Sequence, residues 1–452
     1  MSTFEEHSRN QELVLSIQEA LEANNLLAVR NALGLLHPSE LADLLESLPS
    51  VIRDELWVHI EPEVEGDVLA EANDRVRAAL LENMAPQQVA AATESLDSDD
   101  AADILQDLPE SRADEVLRSM DEQDRARIAS ILSYPEDSAG GLMNGDVVTV
   151  RADVDVEVVL RALRLYRSIP EKTDSLMVVD RENTYLGLLP LATLVSAPTD
   201  AYVGDLMWID AEGIPASTDA ADVALMFEQR DLLSAAVVDS NGTLLGRITV
   251  DDVIDVIREQ SAHSFMSAAG LNEEEDIFAP VVEATRRRSM WLGINLATAF
   301  LAAWMIGRFE ATIEQLVALA ILMPVVASMG GVAGSQTLTI VIRGLAVGQI
   351  GSANARLLLY REMAIGVLNG MLWAGVVAIV AGLWFKDIWL GLVIGLAMVI
   401  NLVVAAFSGA VIPLILRRMQ VDPALAGGVV LTTVTDVVGF VTFLGLATLF
   451  LL

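Results

Sequence analysis

The chain has no cysteine and only four histidines among its 452 residues. Without thiols, disulfide bonds and thiolate-bound metals are excluded. The histidines lack the spacing of a ligand cluster, which argues against a zinc or other transition-metal centre; they are His7, His37, His59 and His263. A metal would therefore need oxygen ligands, which favour hard ions such as magnesium or calcium. A Gly-x-x-x-x-Gly-Lys-Ser/Thr motif is also missing, so a bound nucleotide would be a modulator rather than an energy source.

Basic residues are scarce in the first part of the chain. Residues 1–285 carry 57 acidic and 18 basic side chains, whereas residues 286–452 carry 6 and 10. We expect the first part to be soluble, to repel nucleic acid and anionic lipid, and to attract divalent cations. The first ten residues contain no basic segment followed by an apolar core, so they do not resemble a secretory signal. The acidic part is therefore expected in the cytoplasm.

Residues 27–136 show short amphipathic helical patterns separated by proline and aspartate. Two similar segments, residues 42–49 (ADLLESLP) and 102–109 (ADILQDLP), lie 60 residues apart. Both have apolar positions at helical spacing and end in proline. Stacked helix pairs forming an acidic all-α superhelix are predicted here. Residues 1–26 are assigned to an N-terminal tail or helix.

From residue 137 onward, β-rich runs alternate with helical patterns, and the arrangement occurs twice. The runs Val178–Asp180 and Val237–Asp239 occupy equivalent places in the two copies. The copies resemble a tandem pair of cystathionine-β-synthase (CBS) domains, an α/β fold, at residues 137–199 and 200–260. CBS pairs usually sense adenine nucleotides or ions. The resemblance maps the nucleotide contacts onto Thr249 and Asp252, while Thr193 replaces the acid in the first copy and argues against a nucleotide there.

Five hydrophobic runs follow, each long enough to cross about 30 Å of hydrocarbon. They cover residues 289–308, 315–342, 361–385, 388–415 and 424–450. Eight arginines precede the first run or lie around the loops after the second and fourth, against only Arg308 and Lys386 in the opposite loops. The excess of basic residues on one side predicts a cytoplasmic N-terminus and an extracytoplasmic C-terminus.

Asp436 is the only charged residue of the last hydrophobic run. A carboxylate near the centre of a membrane span costs roughly 3 kcal/mol on insertion scales, and such residues usually serve ion passage. An anionic group in a pore indicates a cation. The structural alternative is an acid that is hydrogen-bonded by Thr432 or Thr435. The segment Gly330–Gln336 either packs closely against other helices or breaks locally so that its carbonyls face water.

The order of these features resembles the MgtE family of magnesium transporters: an acidic helical domain, a CBS pair, and five spans ending in Thr-Val-Thr-Asp-Val-Val-Gly. Further motifs that carry the resemblance are Ser138–Met143, Gly330–Gln336, Val341–Ala346 and Asp422–Leu425. The resemblance implies a multidomain fold with a connecting (plug) helix at residues 261–285 and an all-α, five-helix pore domain at residues 286–452. It also implies a homodimer in the cell inner membrane, whose single pore closes when cytosolic magnesium is high.

On this resemblance Asp436 is the pore acid, and Thr432 and Gly428 line the same pore face. Their spacing of four and eight residues independently places all three on one helical stripe. A mostly hydrated magnesium ion fits one or two carboxylates better than an all-protein cage. Gly428 and Val332 depart from the family, which often has a polar residue and an asparagine there.

The resemblance also implies regulatory magnesium ligands at Asp99, Asp103, Asp252 and Asp255. The simpler interpretation is structural: residues 97–103 would be a solvated helix end, and acids after residue 250 would favour a helix N-terminus. The run Glu273–Asp276 is either a solvated segment or a further ion sensor. The connecting helix carries fewer acids than the family pattern.

The sequence thus predicts a magnesium importer gated by cytosolic magnesium, with ATP as a candidate modulator, and not an enzyme. A carrier for another divalent ion such as cobalt, or an exchanger, is the alternative of the same class. An intramembrane aspartyl protease would need two carboxylates sharing a proton, and the sequence places only Asp436 deep in a span. A CBS-containing anion channel is disfavoured by the acidic pore.

Overall fold

The computed structural model describes residues 17, 20–21, 23, 25–165, 169–170, 172–271, 278, 281–351 and 354–452. These residues form two compact units. The first contains the described residues up to Ser261 together with Phe278, and the second contains residues 262–271, 281–351 and 354–452. The segment Glu273–Asp276, a candidate ion sensor in the sequence, lies outside the described residues.

The first unit begins with short helices, as the proline and aspartate residues between the amphipathic segments predict. They are α1 (Leu26–Leu33), α2 (Pro38–Glu46), α3 (Ser50–Trp57), α4 (Glu65–Glu71), α5 (Asp74–Glu82), α6 (Pro86–Thr93), α7 (Ser98–Gln106), α8 (Glu110–Ser119) and α9 (Glu122–Ile131). The repeated segments form α2 and α7, and their prolines, Pro49 and Pro109, occupy the N-cap positions of the following helices. Equivalent residues such as Leu45 and Leu105 are buried in one continuous apolar core. The superhelical prediction is therefore confirmed.

Two small sheets follow, with identical topology. The elements are β1 (Thr149–Arg151), α10 (Val156–Leu165), β2 (Ser175–Val179), β3 (Tyr185–Pro190), α11 (Leu191–Ser196), α12 (Val203–Leu206), β4 (Ile214–Pro215), α13 (Ala220–Arg230), β5 (Ser234–Val238), β6 (Leu244–Thr249) and α14 (Val250–Ala268). In each copy a parallel pair is extended by an antiparallel hairpin, in the orders β1-β2-β3 and β4-β5-β6. The Ser175 and Ser234 hydroxyls meet at 3.1 Å, which joins the equivalent strands β2 and β5. The CBS-like pair is confirmed as a fold.

The second unit is built from long apolar helices. They are α15 (Val281–Gly307), the short α16 (Glu310–Gln315), α17 (Ala318–Ala346), α18 (Ala355–Phe385), α19 (Ile388–Arg418) and α20 (Pro423–Phe450). Among the described residues, five of these helices, all but α16, have the length and hydropathy needed to cross a membrane. They correspond to the five hydrophobic runs predicted from the sequence, but the helices begin and end at different residues from the runs. Helix α19 is the most buried, and α17, α18 and α20 pack against it.

Helix α17 is continuous through the glycine-rich segment at residues 330–336, so of the two alternatives for this segment the local helix break is wrong. Close packing is the reason for the glycines. A Cβ on Gly330 would lie 2.3 Å from Nδ2 of Asn401 in α19, and one on Gly334 would lie 2.9 Å from the Leu431 side chain in α20. The fully buried Asn401 also donates to the Val326 carbonyl at 2.9 Å. Small residues therefore allow three helices to approach closely.

Candidate functional site

The predicted pore residues lie on one stripe of α20. Asp436 is half-buried, Thr432 is exposed, and a Cβ on Gly428 would meet no other atom within 4 Å. The opposite face, with Leu431, is buried within the unit. Spacing had predicted this shared stripe. The fold adds that the other helices of the unit leave this stripe open at Gly428 and Thr432 and cover it partly at Asp436.

The hydroxyl groups of Thr432 and Thr435 are hydrogen-bonded to backbone carbonyls and not to Asp436. Thr432 Oγ1 lies 3.0 Å from the Gly428 carbonyl, and Thr435, which is completely buried, donates to the Thr432 carbonyl at 3.0 Å. Within the described part of the chain, Asp436 accepts no hydrogen bond. The alternative in which Thr432 or Thr435 holds this carboxylate as a structural acid is therefore wrong.

Helix α17 carries a surface that mixes polar and apolar side chains. An open groove along this helix is lined by Ser328, Gly331, Val332, Ser335, Gln336, Thr339 and Ile340. Val332 is 55% exposed and reduces the polarity of the groove at the position where the sequence departs from the family pattern. Hydroxyl and amide groups are costly against lipid unless they face water or protein. Together with the stripe on α20, this groove marks polar surface within a largely apolar unit.

Sequence reasoning missed a second carboxylate inside a span. Glu362 of α18 is only 4% exposed, and Thr337 Oγ1 of α17 donates to its Oε2 at 3.2 Å. An acid at the start of a predicted hydrophobic run, next to Arg361, was the available signal. Glu362 lies near the start of α18 rather than deep in the span, so the expectation that only Asp436 lies deep in a span stays a prediction. Glu362 joins α17 to α18, whereas Asp436 remains without such a partner among described residues.

The connecting helix contacts the beginning of α20. Asp422 caps α20 by accepting from the Ala424 and Leu425 amides at 2.8 and 3.2 Å. His263, near the end of α14, places Nε2 3.2 Å from Asp422 Oδ2. The Asp422–Leu425 motif thus forms the N-terminus of α20, and its Asp422 side chain contacts His263 of α14.

Acidic residues of the first unit converge at the beginning of α7. One carboxylate oxygen from each of Asp97, Asp99 and Asp100 lies within 4.8 Å of the others. Asp99 is 8% exposed, and its Oδ1 is buried with no hydrogen-bond partner in the described structure. Burial first, and then the charge of Asp252, raise the pKa of Asp99 well above its usual range. The interpretation of residues 97–103 as a solvated helix end is therefore wrong.

Asp251 and Asp252 complete this group, which we call the acidic cluster: Asp97, Asp99, Asp100, Asp251 and Asp252. Asp252 Oδ2 accepts from the Thr249 amide at 3.0 Å and caps α14, as the structural interpretation predicted. Thr249 Oγ1 lies 2.9 Å from Asp252 Oδ2 and 2.5 Å from Asp251 Oδ1. Burial and neighbouring charge raise the pKa of both Asp100 and Asp252 to about 6.

The acidic cluster has the donor chemistry of a hard-cation site. Its candidate ligands are carboxylate oxygens, which hard divalent cations prefer. The buried Asp99 Oδ1 has no hydrogen-bond partner in the described structure. Burying an unpaired charged oxygen costs free energy, and a bound divalent cation would lower that cost. Thr249 and Asp252, the candidate nucleotide contacts, belong to the same place and are bonded to one another. A nucleotide that used them would approach the proposed metal ligands.

The other two predicted regulatory acids have different surroundings. Asp103 has Arg77, Asp74 and Glu136 among its electrostatic neighbours, and burial raises its pKa to about 8. Asp255 is exposed, and its Oδ1 lies 3.4 Å from Arg258 Nη1. Asp99 and Asp103 share a helix face and both have Asp100 as an electrostatic neighbour, but Asp252 acts on Asp99 whereas Arg77 acts on Asp103. Asp255 has Asp251 and Lys172 among its neighbours. Asp103 and Asp255 therefore lie at the edges of the same acidic region.

Comparisons with known proteins match the helical domain, the CBS-like pair and most of the membrane unit. Residues 36–137 match the MgtE intracellular N domain, residues 139–200 and 203–259 match the CBS domain, and residues 323–446 match the MgtE divalent cation transporter family. The magnesium transporter MgtE of Thermus thermophilus is 30% identical over 98% of this chain and 99% of its own length. That of Bacillus subtilis is 28% identical over 97% and 98%. A crystal structure of the cytosolic domain of the Mg²⁺ channel MgtE in complex with ATP is 31% identical, with a TM-score of 0.50, over 54% of this chain and 99% of that one.

Proposed function

Because the chain belongs to the MgtE family of magnesium transporters, we propose that it imports magnesium as a homodimeric, channel-like protein of the cell inner membrane. The observation that carries this proposal is Asp436, a carboxylate without a hydrogen-bond partner among described residues, on the uncovered stripe of an apolar helix. Magnesium is the transported substrate. Family members are transporters rather than enzymes, so the protease alternative is set aside.

The pore follows from the chemistry of the ion. Magnesium loses its water reluctantly and is usually held by one or two carboxylates with several waters retained. Two copies of Asp436 facing each other would provide such a ring, with Thr432 and the open position at Gly428 leaving room for water on the same stripe. Contact through water keeps binding weak enough for the ion to leave.

A second copy of the chain is the partner that we propose for the uncovered polar faces. The stripe on α20 and the hydroxyl and amide groups along the groove on α17 would otherwise meet lipid, where polar groups are costly. Pairing two chains around an aqueous path covers both faces at once. The N-terminus would be cytoplasmic and the C-terminus extracytoplasmic, as the distribution of arginine predicts.

Gating would arise in the acidic first unit. Carboxylates crowded at the acidic cluster repel one another when no metal is bound, and magnesium bound by Asp99 and Asp252 would draw α7 and α14 together. Asp103 and Asp255 are candidate ligands at the edges of this region. Helix α14 continues to His263, which contacts the N-cap of α20. Movement of α14 could therefore reach the pore helix directly.

ATP is proposed as a modulator only. The related cytosolic domain was crystallised in complex with ATP. Thr249 and Asp252 are the corresponding candidate contacts here. Asp252 belongs to the acidic cluster and Thr249 is hydrogen-bonded to it, so a nucleotide at these residues would be coupled to metal binding. Transport of another divalent ion is the remaining alternative. Flux of cobalt, manganese and calcium measured in parallel would separate it from magnesium transport.

The test is magnesium flux into proteoliposomes containing the purified full-length chain. We expect Asp436→Asn to lower the initial flux at least about tenfold, because the amide removes the charge that attracts the ion. Asp387→Asn is the matched control: Asp387 caps α19 through the Trp389 and Leu390 amides, and asparagine can also cap. Flux through Asp436→Asn equal to that of the parent would refute the pore assignment.

A further inference from the structure

Lysine is nearly absent from this chain, and one of its two lysines lies in the acidic cluster. The chain has Lys172 and Lys386, and only Lys172 belongs to the first unit. It lies shortly before β2 and forms an ion pair with Asp251. Asp100 and Asp252 also have Lys172 among their electrostatic neighbours. One ammonium group therefore faces three of the five carboxylates of the cluster, those of Asp251, Asp100 and Asp252.

This ammonium remains charged where it is. Burial alone would lower the pKa of Lys172, but the hydrogen bond to Asp251 and the nearby carboxylates raise it above its usual range. The side chain is nevertheless about half exposed (52%). Four rotatable methylene groups allow a lysine to leave one partner without any movement of the backbone. The ammonium is thus charged, close to the cluster and free to withdraw into water.

Arg77 provides a contrast within the same unit. Its side chain is 8% exposed, and its guanidinium contacts Asp107 at 2.5 Å and Asp74 at 2.7 Å. That arrangement is a buried, forked pair in which the cation has no room to withdraw. Lys172 instead has a single ion-pair partner among the described residues and an exposed stem. Arg77 is thus held in place by its partners, whereas Lys172 can leave its partner.

We propose that Lys172 is a tethered cation that occupies the acidic cluster in its metal-free state and that a divalent cation must displace. The proposal rests on the regulatory site proposed above and deepens it by naming what competes with the metal. A second observation besides the acids points to a ligand. Asp99 Oδ1 is buried and unpartnered in the described structure, so the lysine leaves part of the cluster uncompensated.

Competition between Lys172 and a free cation favours cations of higher charge. A tethered group acts at an effective concentration of order millimolar or above, so a free monovalent ion that brings the same charge gains little by replacing it. A magnesium ion brings two charges and can bind two carboxylates together. Lys172 therefore raises the magnesium concentration needed to fill the site and excludes monovalent ions.

The experiment is a magnesium titration of the full-length protein in detergent, with limited proteolysis of the first unit as the readout. We expect Lys172→Ala to become protected at a magnesium concentration about tenfold lower than the parent, because one repelling charge is removed near the metal. Lys172→Arg keeps the charge and should need at least as much magnesium as the parent. Arg161→Ala is the matched control, since Arg161 is an exposed cation paired with Glu157 on α10.

Chemical rescue separates competition from a general effect on folding. Propylammonium chloride, which replaces the missing ammonium, should return the half-point of Lys172→Ala toward that of the parent and leave Arg161→Ala unchanged. An unchanged half-point in Lys172→Ala, or an equal shift in Arg161→Ala, overturns the proposal. A parent protein whose digestion never responds to magnesium refutes the regulatory site itself, and the competition with it.

Discussion

At the scale of single residues, the first unit holds carboxylates in places where their charge is costly. Asp103 is the clearest case, because burial raises its pKa to about 8 despite the opposing charge of Arg77. In the unfolded chain the same group loses its proton near pH 4. The folded state therefore binds the extra proton between these values, and the stability it confers is present at low pH and lost as the pH rises toward 8.

We predict that Asp103→Asn reduces the pH dependence of stability in the metal-free protein. Asparagine has no proton to lose. Between pH 5.5 and pH 8, in the presence of a chelator, the melting temperature of the variant should therefore fall less than that of the parent. Thermal unfolding in detergent is the measurement. Asp114→Asn is the control, because Asp114 is exposed and pairs only loosely with Arg118 at 3.9 Å. Parallel curves for Asp103→Asn and the parent would contradict the assignment.

At the scale of elements, glycines determine how closely the membrane helices pack. A Cβ on Gly409 of α19 would lie 2.6 Å from the Gly334 carbonyl and 2.9 Å from the Thr337 Cβ, both in α17. A Cβ on Gly375 of α18 would meet no atom within 4 Å. The first glycine is required by backbone contact, whereas the second is not.

Gly409→Ala should accordingly lower the melting temperature of the detergent-solubilised protein by several degrees, because α17 and α19 must separate to admit the methyl group. Gly375→Ala should leave it unchanged or slightly higher, since alanine favours the helix by about 1 kcal/mol over glycine. Equal melting temperatures for the two variants would show that α17 and α19 do not pack in this way.

At the scale of the whole molecule, charge divides the chain between a strongly acidic part and a membrane part. The absence of cysteine makes the proposed orientation directly testable with single-cysteine variants. We predict that Leu452→Cys reacts with a membrane-impermeant maleimide on intact cells. Ser196→Cys, on α11 of the first unit, should react only after permeabilisation. The opposite pattern would place the acidic part outside and exclude cytosolic gating.

The one-dimensional properties of the sequence determined much of this protein. Hydropathy located the five spans and an isolated carboxylate marked Asp436, because each of these signals is local to a short run of residues. The direction of the spans, which the arginine distribution predicts, stays a prediction. The repeat at residues 42–49 and 102–109 predicted helices for the same reason. The family resemblance came from the order of these parts and was confirmed over nearly the whole length.

Only the tertiary structure decided which distant residues meet. Asp99 and Asp252 are 153 positions apart, and Lys172 joins their cluster from a third segment, so no local pattern could associate them. Asp103, one helical turn from Asp99, has Arg77 as a neighbour in addition to Asp100 of the cluster. The glycine-rich part of α17 stays helical because Asn401, Gly409 and Leu431 pack against it. Burial and charge compensation depend on neighbours in space, and folding alone supplies those neighbours.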